Sequence, residues 1–241
     1  MEYGLQLYSV RDTTANDFER ALRKVAELGY RFVEFAGFFG YSAEDVRHML
    51  DLYGLQVSGT HTDWQELTAE RIDETIAYHT TIGNKNIIIP GADLSTREKL
   101  DALIDLINEA QPKLAAAGIT LGYHNHAHEF VPTSYGALIH KELEEKTQVE
   151  FEIDTYWAYV AKQDPIALLA RLSDRVRVIH LKDGYENGQG MALGEGTAPV
   201  EAVRDYAMAH NLTMVVESET CQPTGLAEVE RCMRYLQGLE K

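Results

Sequence analysis

Ile119-Thr120-Leu121-Gly122-Tyr123-His124-Asn125-His126-Ala127-His128-Glu129-Phe130 is a short apolar run that breaks off into imidazoles and a carboxylate. Ala115-Ala116-Ala117-Gly118 leads into it, so a helix closes at a glycine, a strand follows, and a polar loop takes over at the strand's end. Successive strand side chains alternate faces, which puts His124 and His126 on one side and Asn125 on the other. Imidazole and carboxylate crowded at the end of an apolar strand suit a borderline divalent metal or proton transfer. Surface histidines on a polar loop would look the same if the stretch stood alone, but its arrangement recurs along the chain.

The recurrence has a period of roughly thirty residues, the length of one strand and one helix. Strands are expected at residues 3–8, 31–36, 55–61, 86–90, 119–124, 149–154, 176–181 and 213–217. Ile87-Ile88-Ile89 leaves the fourth without a polar face, as in a fully buried strand. Helices are expected at 16–28, 42–53, 68–82, 95–117, 135–146, from near 164, at 199–210 and at 225–236. Ser42 and Ser95 or Thr96 are N-caps, Gly29, Gly54, Gly83 and Gly118 follow helix ends, and Pro165 takes a first helical position. Pro112 falls inside the long fourth helix and predicts a kink or break. Eight strand–helix units without a Ser-, Gly- or Pro-rich linker predict one α/β domain over residues 1–241, a closed (β/α)8 TIM barrel. A doubly wound open sheet is the alternative, and eight regular units favour closure.

Composition bounds the function. A hydrophobic share of 45% and a charged share of 25% are ordinary for a soluble globular protein. The two cysteines, Cys221 and Cys232, stand outside any Cys-x-x-Cys pattern and read as free thiols in a reducing compartment. No basic region followed by an apolar core opens the chain, and no run of about eighteen apolar residues occurs, so a cytoplasmic location is expected and no membrane partner. A net charge of -16 repels phosphate backbones, which argues against a nucleic-acid partner. The chain lacks the Gly-x-x-x-x-Gly-Lys and Gly-x-Gly-x-x-Gly nucleotide patterns and the Gly-x-Ser-x-Gly elbow of serine hydrolases.

In a TIM barrel the C-terminal strand ends and the loops after them form the active face. Those ends carry Gln6 and Ser9, Glu34, His61, Pro90, His124 and His126 with Glu129, Asp154, His180 and Lys182, and Glu217 with Glu219. Carboxylates gathered on one rim repel unless a cation sits among them, which is the physical case for a metal. Glu129, Asp154, His180 and Glu217 are the strongest candidate ligands. One imidazole with three carboxylates suits Mn2+, Mg2+, Co2+ or Zn2+, the oxygen-rich set leaning toward manganese or magnesium. Such a set leaves positions open for substrate, as a catalytic metal does. Around it, Lys182 is placed to meet a substrate oxyanion or to pair with Asp154 or Glu217. Trp157 can stack on a sugar face or pack over the barrel mouth, His61 and Glu34 can reach hydroxyls or make core hydrogen bonds, and Glu219 can reach hydroxyls.

Leu5-Gln6-Leu7-Tyr8-Ser9-Val10-Arg11-Asp12, Tyr123-His124-Asn125-His126-Ala127-His128-Glu129-Phe130, Glu152-Ile153-Asp154-Thr155-Tyr156-Trp157, Ile179-His180-Leu181-Lys182-Asp183 and Leu193-Gly194-Glu195-Gly196 together resemble the sugar phosphate isomerase/epimerase family, the xylose-isomerase-like group of metal-dependent TIM barrels. The resemblance runs from the first strand to the last. It implies a divalent metal held at the ends of the fifth to eighth strands, and on matching positions this falls on Asp154, His180 and Glu217. Several ketose epimerases of the group carry a glutamate on the fifth strand where this chain has His124. Either His124 ligates or Glu129 folds back to do so, and Glu129 is preferred because it keeps the site anionic.

The resemblance further implies an isomerase or epimerase acting on a ketose, keto-sugar or inosose, with proton transfer beside a carbonyl that the metal polarises. Glu217 is the candidate acid/base for one face and His124 or His126 for the other. A small-molecule sugar or keto-sugar is the expected partner, and homo-oligomers are compatible with the group. The rivals are a lyase or dehydratase on the same metal, an endonuclease-IV-type nuclease, and a sugar-binding barrel without catalysis.

Overall fold

The expected alternation closes on itself. In a computed structural model, which describes residues 1–240, the strands Gly4–Gln6, Phe32–Phe35, Gln56–His61, Asn86–Ile89, Thr120–His124, Glu150–Asp154, Val176–Leu181 and Thr213–Val216 form one parallel barrel. The first strand pairs with the second on one side and with the eighth on the other. Register is what assembles the site. Gln6 lies opposite Glu34, His124 opposite Glu152, and Asp154 opposite His180.

Strand alternation divides the core into two layers. Leu5, Val33, Phe35, Tyr123, Phe151, Ile179 and Val216 belong to the apolar cluster between sheet and helices. Gln6, Glu34, His124, Glu152, Asp154 and His180 take the other face and are buried in the barrel interior. The helices pack their apolar stripes onto the outer layer. In Phe18–Glu27, for instance, Phe18, Ala21, Leu22 and Val25 are buried, and Leu22→Ala would cost about 2–5 kcal/mol.

The helix ends follow their capping chemistry. Ser42 Oγ accepts from the Asp45 N–H at 3.1 Å and starts Ala43–Tyr53, which stops at Gly54 in the left-handed region. Thr96, not Ser95, caps Arg97–Ala116, and Asp164 caps Pro165–Arg171 with proline at its first position. The expected break at Pro112 does not occur, because Arg97–Ala116 is continuous. Proline removes one backbone hydrogen bond there, while Leu103, Ile104, Ile107, Ala110 and Leu114 keep one buried face on both sides of it.

Differences from the expected elements sit in the loops after strands. The first strand ends at Gln6, because Gln6 Oε1 accepts from the Tyr8 N–H and turns Leu7–Val10 into a 3-10 helix. A short helix, Thr155–Val160, follows the sixth strand directly, with Asp154 as its cap. The helix expected from residue 135 begins at Ile139.

Candidate active site

Four of the side chains read from the strand ends meet at the mouth of the barrel. His124, Asp154, His180 and Glu217, all buried, each offer a ligand atom within 4.8 Å of the others. His180 Nδ1 stands 3.3 Å from Glu217 Oε2 and 3.9 Å from Asp154 Oδ2, and His124 Nε2 is 3.6 Å from Asp154 Oδ2. Both ring nitrogens of His124, Asp154 Oδ2 and His180 Nδ1 are buried without a hydrogen-bond partner. Buried polar atoms are nearly always satisfied, so orphaned donors of this chemistry facing one another fit a divalent cation.

Glu129 does not join them. Its fully buried carboxylate accepts from the Tyr123 hydroxyl at 3.1 Å and from the His126 N–H at 2.8 Å. Tyr123 faces the helix layer, one residue out of phase with His124, so Glu129 is held on the outer side of the fifth strand. The fifth-strand member of the cluster is therefore His124, and the oxygen-rich set expected from sequence becomes two imidazoles with two carboxylates. His126 and His128 stay with Glu129 in a separate group at the rim.

A second polar layer lies beneath the cluster. Glu34 is fully enclosed, accepting from Gln6 Nε2 at 2.7 Å and from His180 Nε2 at 2.8 Å, the core hydrogen bonding that is one of its two expected roles. His61 Nε2 lies 2.8 Å from Glu152 Oε2 and 3.2 Å from Glu34 Oε1. Glu152 was overlooked in the sequence reading, yet its spacing from Asp154 puts both on one strand face. Burial alone would raise the Glu34 carboxyl, but His180 and His61 beside it bring it down to about 2. Burial and the Glu34 charge push Glu152 well up, in the opposite direction from Glu34.

Electrostatics differ among the cluster members. Burial holds His124 neutral, well below its ordinary range, which keeps a lone pair available. Burial opposes charge on His180, but Glu152, Glu34 and Glu217 outweigh it and push the ring up. Glu217, despite burial, is held well below the carboxylate range by Lys182 and His180.

Lys182 lies on the open side of the cluster. Its buried ammonium is 3.0 Å from Glu217 Oε2 and 3.8 Å from Asp154 Oδ2, and it also bonds Glu219. Of the two arrangements expected of it, the pairing with Asp154 and Glu217 is the one seen. Burial would strip its proton, and the surrounding carboxylates raise its pKa instead. The Trp157 ring lies 4.8 Å from Lys182 Nζ. A cleft of about 530 Å³ opens beside His61, lined also by Phe38, Thr62, Arg71 and Tyr78.

The Gly194-Glu195-Gly196 turn is explained by packing. Asp183 accepts from the N–H groups of Gly184, Gly194, Gly196 and Ala198, and a Cβ on Gly196 would meet Asp183 Oδ1 at 2.3 Å.

A family profile described as "Xylose isomerase-like TIM barrel" matches residues 22–237. The chain belongs to that family. Among xylose isomerase-like barrels of known structure, it is similar to a sugar phosphate isomerase/epimerase from Parabacteroides distasonis ATCC 8503, with 28% identity and a TM-score of 0.83 over 98% of this chain and 97% of that one. An L-ribulose 3-epimerase shares the fold at 15% identity and a TM-score of 0.73, over 99% of this chain and 94% of its own. The chain is also similar to the inosose dehydratases of Geobacillus kaustophilus (strain HTA426) and Clostridium beijerinckii (strain ATCC 51743 / NCIMB 8052), each at 25% identity over 68% and 70% of this chain. The matched regions span 61% and 64% of those relatives' own lengths. No described helix is long and apolar enough to cross a membrane.

Proposed function

We propose that this protein is a divalent-metal-dependent isomerase or epimerase acting on a ketose, keto-sugar or inosose. The observation carrying this reading is the convergence of orphaned donors from His124, Asp154 and His180 with the Glu217 carboxylate, beside a buried, charged Lys182. Those four residues would hold the ion, and two nitrogens with two oxygens favour Mn2+, Co2+ or Zn2+ over Mg2+. When bound, a divalent ion supplies Lewis-acid polarisation of a carbonyl.

The chain's own residues account for the rest. Lys182 engages Glu217 Oε2 and keeps that carboxylate ionised, so Glu217 is the assigned acceptor for a proton on the carbon beside the carbonyl. The Lys182 ammonium is placed to donate to an oxygen that gains charge as the proton leaves. Trp157, His126 and Glu219 lie at the more open side, where they exclude water from one sugar face and meet hydroxyls, and His61 lines the adjoining cleft. Returning the proton to the neighbouring carbon isomerises the sugar, and epimerisation takes a proton from a second group on the opposite face of the same carbon, the role assigned to His124 or His126.

A second reading, dehydration, is favoured by the similarity to two inosose dehydratases. The same abstraction by Glu217 would then be followed by loss of a β-hydroxyl, protonated by Lys182. One experiment separates them. Metal-loaded protein is incubated in D2O with a panel of ketoses and inososes and followed by NMR. Deuterium at the α-carbon with a new isomer or epimer supports the first reading, and an enone or enol product supports the second. No exchange in any sugar sinks both.

A further inference from the structure

We propose a second metal site at the barrel rim, a zinc-class site formed by His126 Nδ1, His128 Nε2 and Glu129 Oε1. One ligand atom of each residue lies within 4.8 Å of the others, and Glu129 Oε1 is 3.2 Å from His128 Nε2 and 3.9 Å from His126 Nδ1. Zn–N and Zn–O bonds of about 2.0–2.1 Å at tetrahedral angles set ligand atoms roughly 3.3 Å apart, so the Glu129–His128 contact already has that spacing, while the Glu129–His126 and His126–His128 pairs must close, which the exposed His128 ring can do by rotating. Two imidazoles with one carboxylate form a catalytic-type or inhibitory zinc set with a fourth position free for water.

The geometry is built into the turn. Glu129 is fully buried, and its carboxylate is fixed by the Tyr123 hydroxyl through Oε1 and by the His126 N–H through Oε2. That leaves a second lone pair on Oε1 toward the two rings. His126 Nδ1 is itself buried with no hydrogen-bond partner, a cost that a ligated cation removes. His128 is 60% exposed, which gives an ion entry from solvent. The site is separate from the central cluster, with which it shares no residue.

The test is calorimetric titration of the metal-stripped full chain with Zn2+, comparing wild type with His128→Gln. His128 lies on the surface and outside the proposed catalytic machinery, so the variant folds as the wild type does. The expected result is loss of one zinc equivalent, by more than the roughly 10–100-fold that removing an outer-shell partner costs. Asp154→Asn removes the central equivalent and keeps the rim one, so the two sites are judged independently. His210→Gln, another exposed histidine, is the control and keeps both. The proposal is overturned if His128→Gln binds the same number of ions as wild type at the same affinity, or if the His210 control loses an equivalent too.

Discussion

His180 Nε2 donates to Glu34 Oε1 at 2.8 Å, across the barrel interior from the seventh strand to the second. That bond fixes the ring's orientation and leaves Nδ1 facing Glu217 and Asp154.

Glu34→Gln keeps the shape of this support and removes its charge. Divalent-metal affinity is expected to fall about 10–100-fold, measured by chelator competition, with the fold unchanged by circular dichroism. Because His180 is pushed toward its protonated form in the metal-free protein, ion binding also releases a proton. Affinity therefore rises with pH, and calorimetry in buffers of different ionisation heat reads the release.

Asp154 has two roles that can be separated. Its Oδ1 accepts from the Trp157 N–H at 2.8 Å, capping Thr155–Val160, while Oδ2 has no partner. Asn retains a capping oxygen, so Asp154→Asn should leave metal-free stability within about 1 kcal/mol of wild type while reducing the rise in Tm on adding metal to the share supplied by the rim site. Asp154→Ala loses the cap as well and costs about 1 kcal/mol more. Equal stabilisation of wild type and Asp154→Asn by metal would contradict the ligand assignment.

His79 supplies a pH dependence away from the metal cluster. Its Nδ1 accepts from Asn84 Nδ2 at 2.9 Å, and burial brings its pKa down to about 4 from an ordinary value near 6.5. The unfolded chain binds this proton at higher pH than the folded one, so the contribution is intact above pH 6.5 and declines as pH falls toward 4. The loss approaches about 3 kcal/mol at the lower end. Denaturant titrations of wild type and His79→Gln should converge over this window, and parallel curves would remove His79 as the cause.

Asp183 holds the loop that follows the seventh strand. Asp183→Ala orphans four backbone N–H groups and should cost about 2–4 kcal/mol. Gly194→Ala should be comparably harmful, since Gly194 has a φ of +81° and a Cβ there would stand 2.3 Å from the Tyr235 ring. Thermal unfolding of both variants measures this, with Gly188→Ala as a comparison whose Cβ meets nothing closer than 3.9 Å.

What the sequence disclosed follows the range of the forces involved. Val176–Leu181 and the caps Ser42, Gly54 and Gly83 were legible because strand alternation and capping act over a few residues. Asp154, His180 and Glu217 were legible because each ends an apolar run. The choice between His124 and Glu129 was not, since it depends on the Tyr123 hydroxyl capturing the glutamate, a contact made only once the turn has folded. Thr155–Val160 was hidden for a related reason, because its cap is a residue that also reads as a ligand. Glu152 was visible by its two-residue offset from Asp154, but a second carboxylate in a barrel interior makes sense only beside His61 and Glu34.

Gly59 touches no candidate ligand, and it decides how deep the polar interior can reach. A methyl group there would lie 2.7 Å from Ile88 Cδ1 and 3.1 Å from Glu34 Oε2. The emptiness of that position is what admits a carboxylate to the floor, and the carboxylate is what steers an imidazole on the far wall. A survey of this protein that ranks positions by the reactivity of their side chains would pass over Gly59, whereas a saturation scan scored on metal retention would find it among the least tolerant.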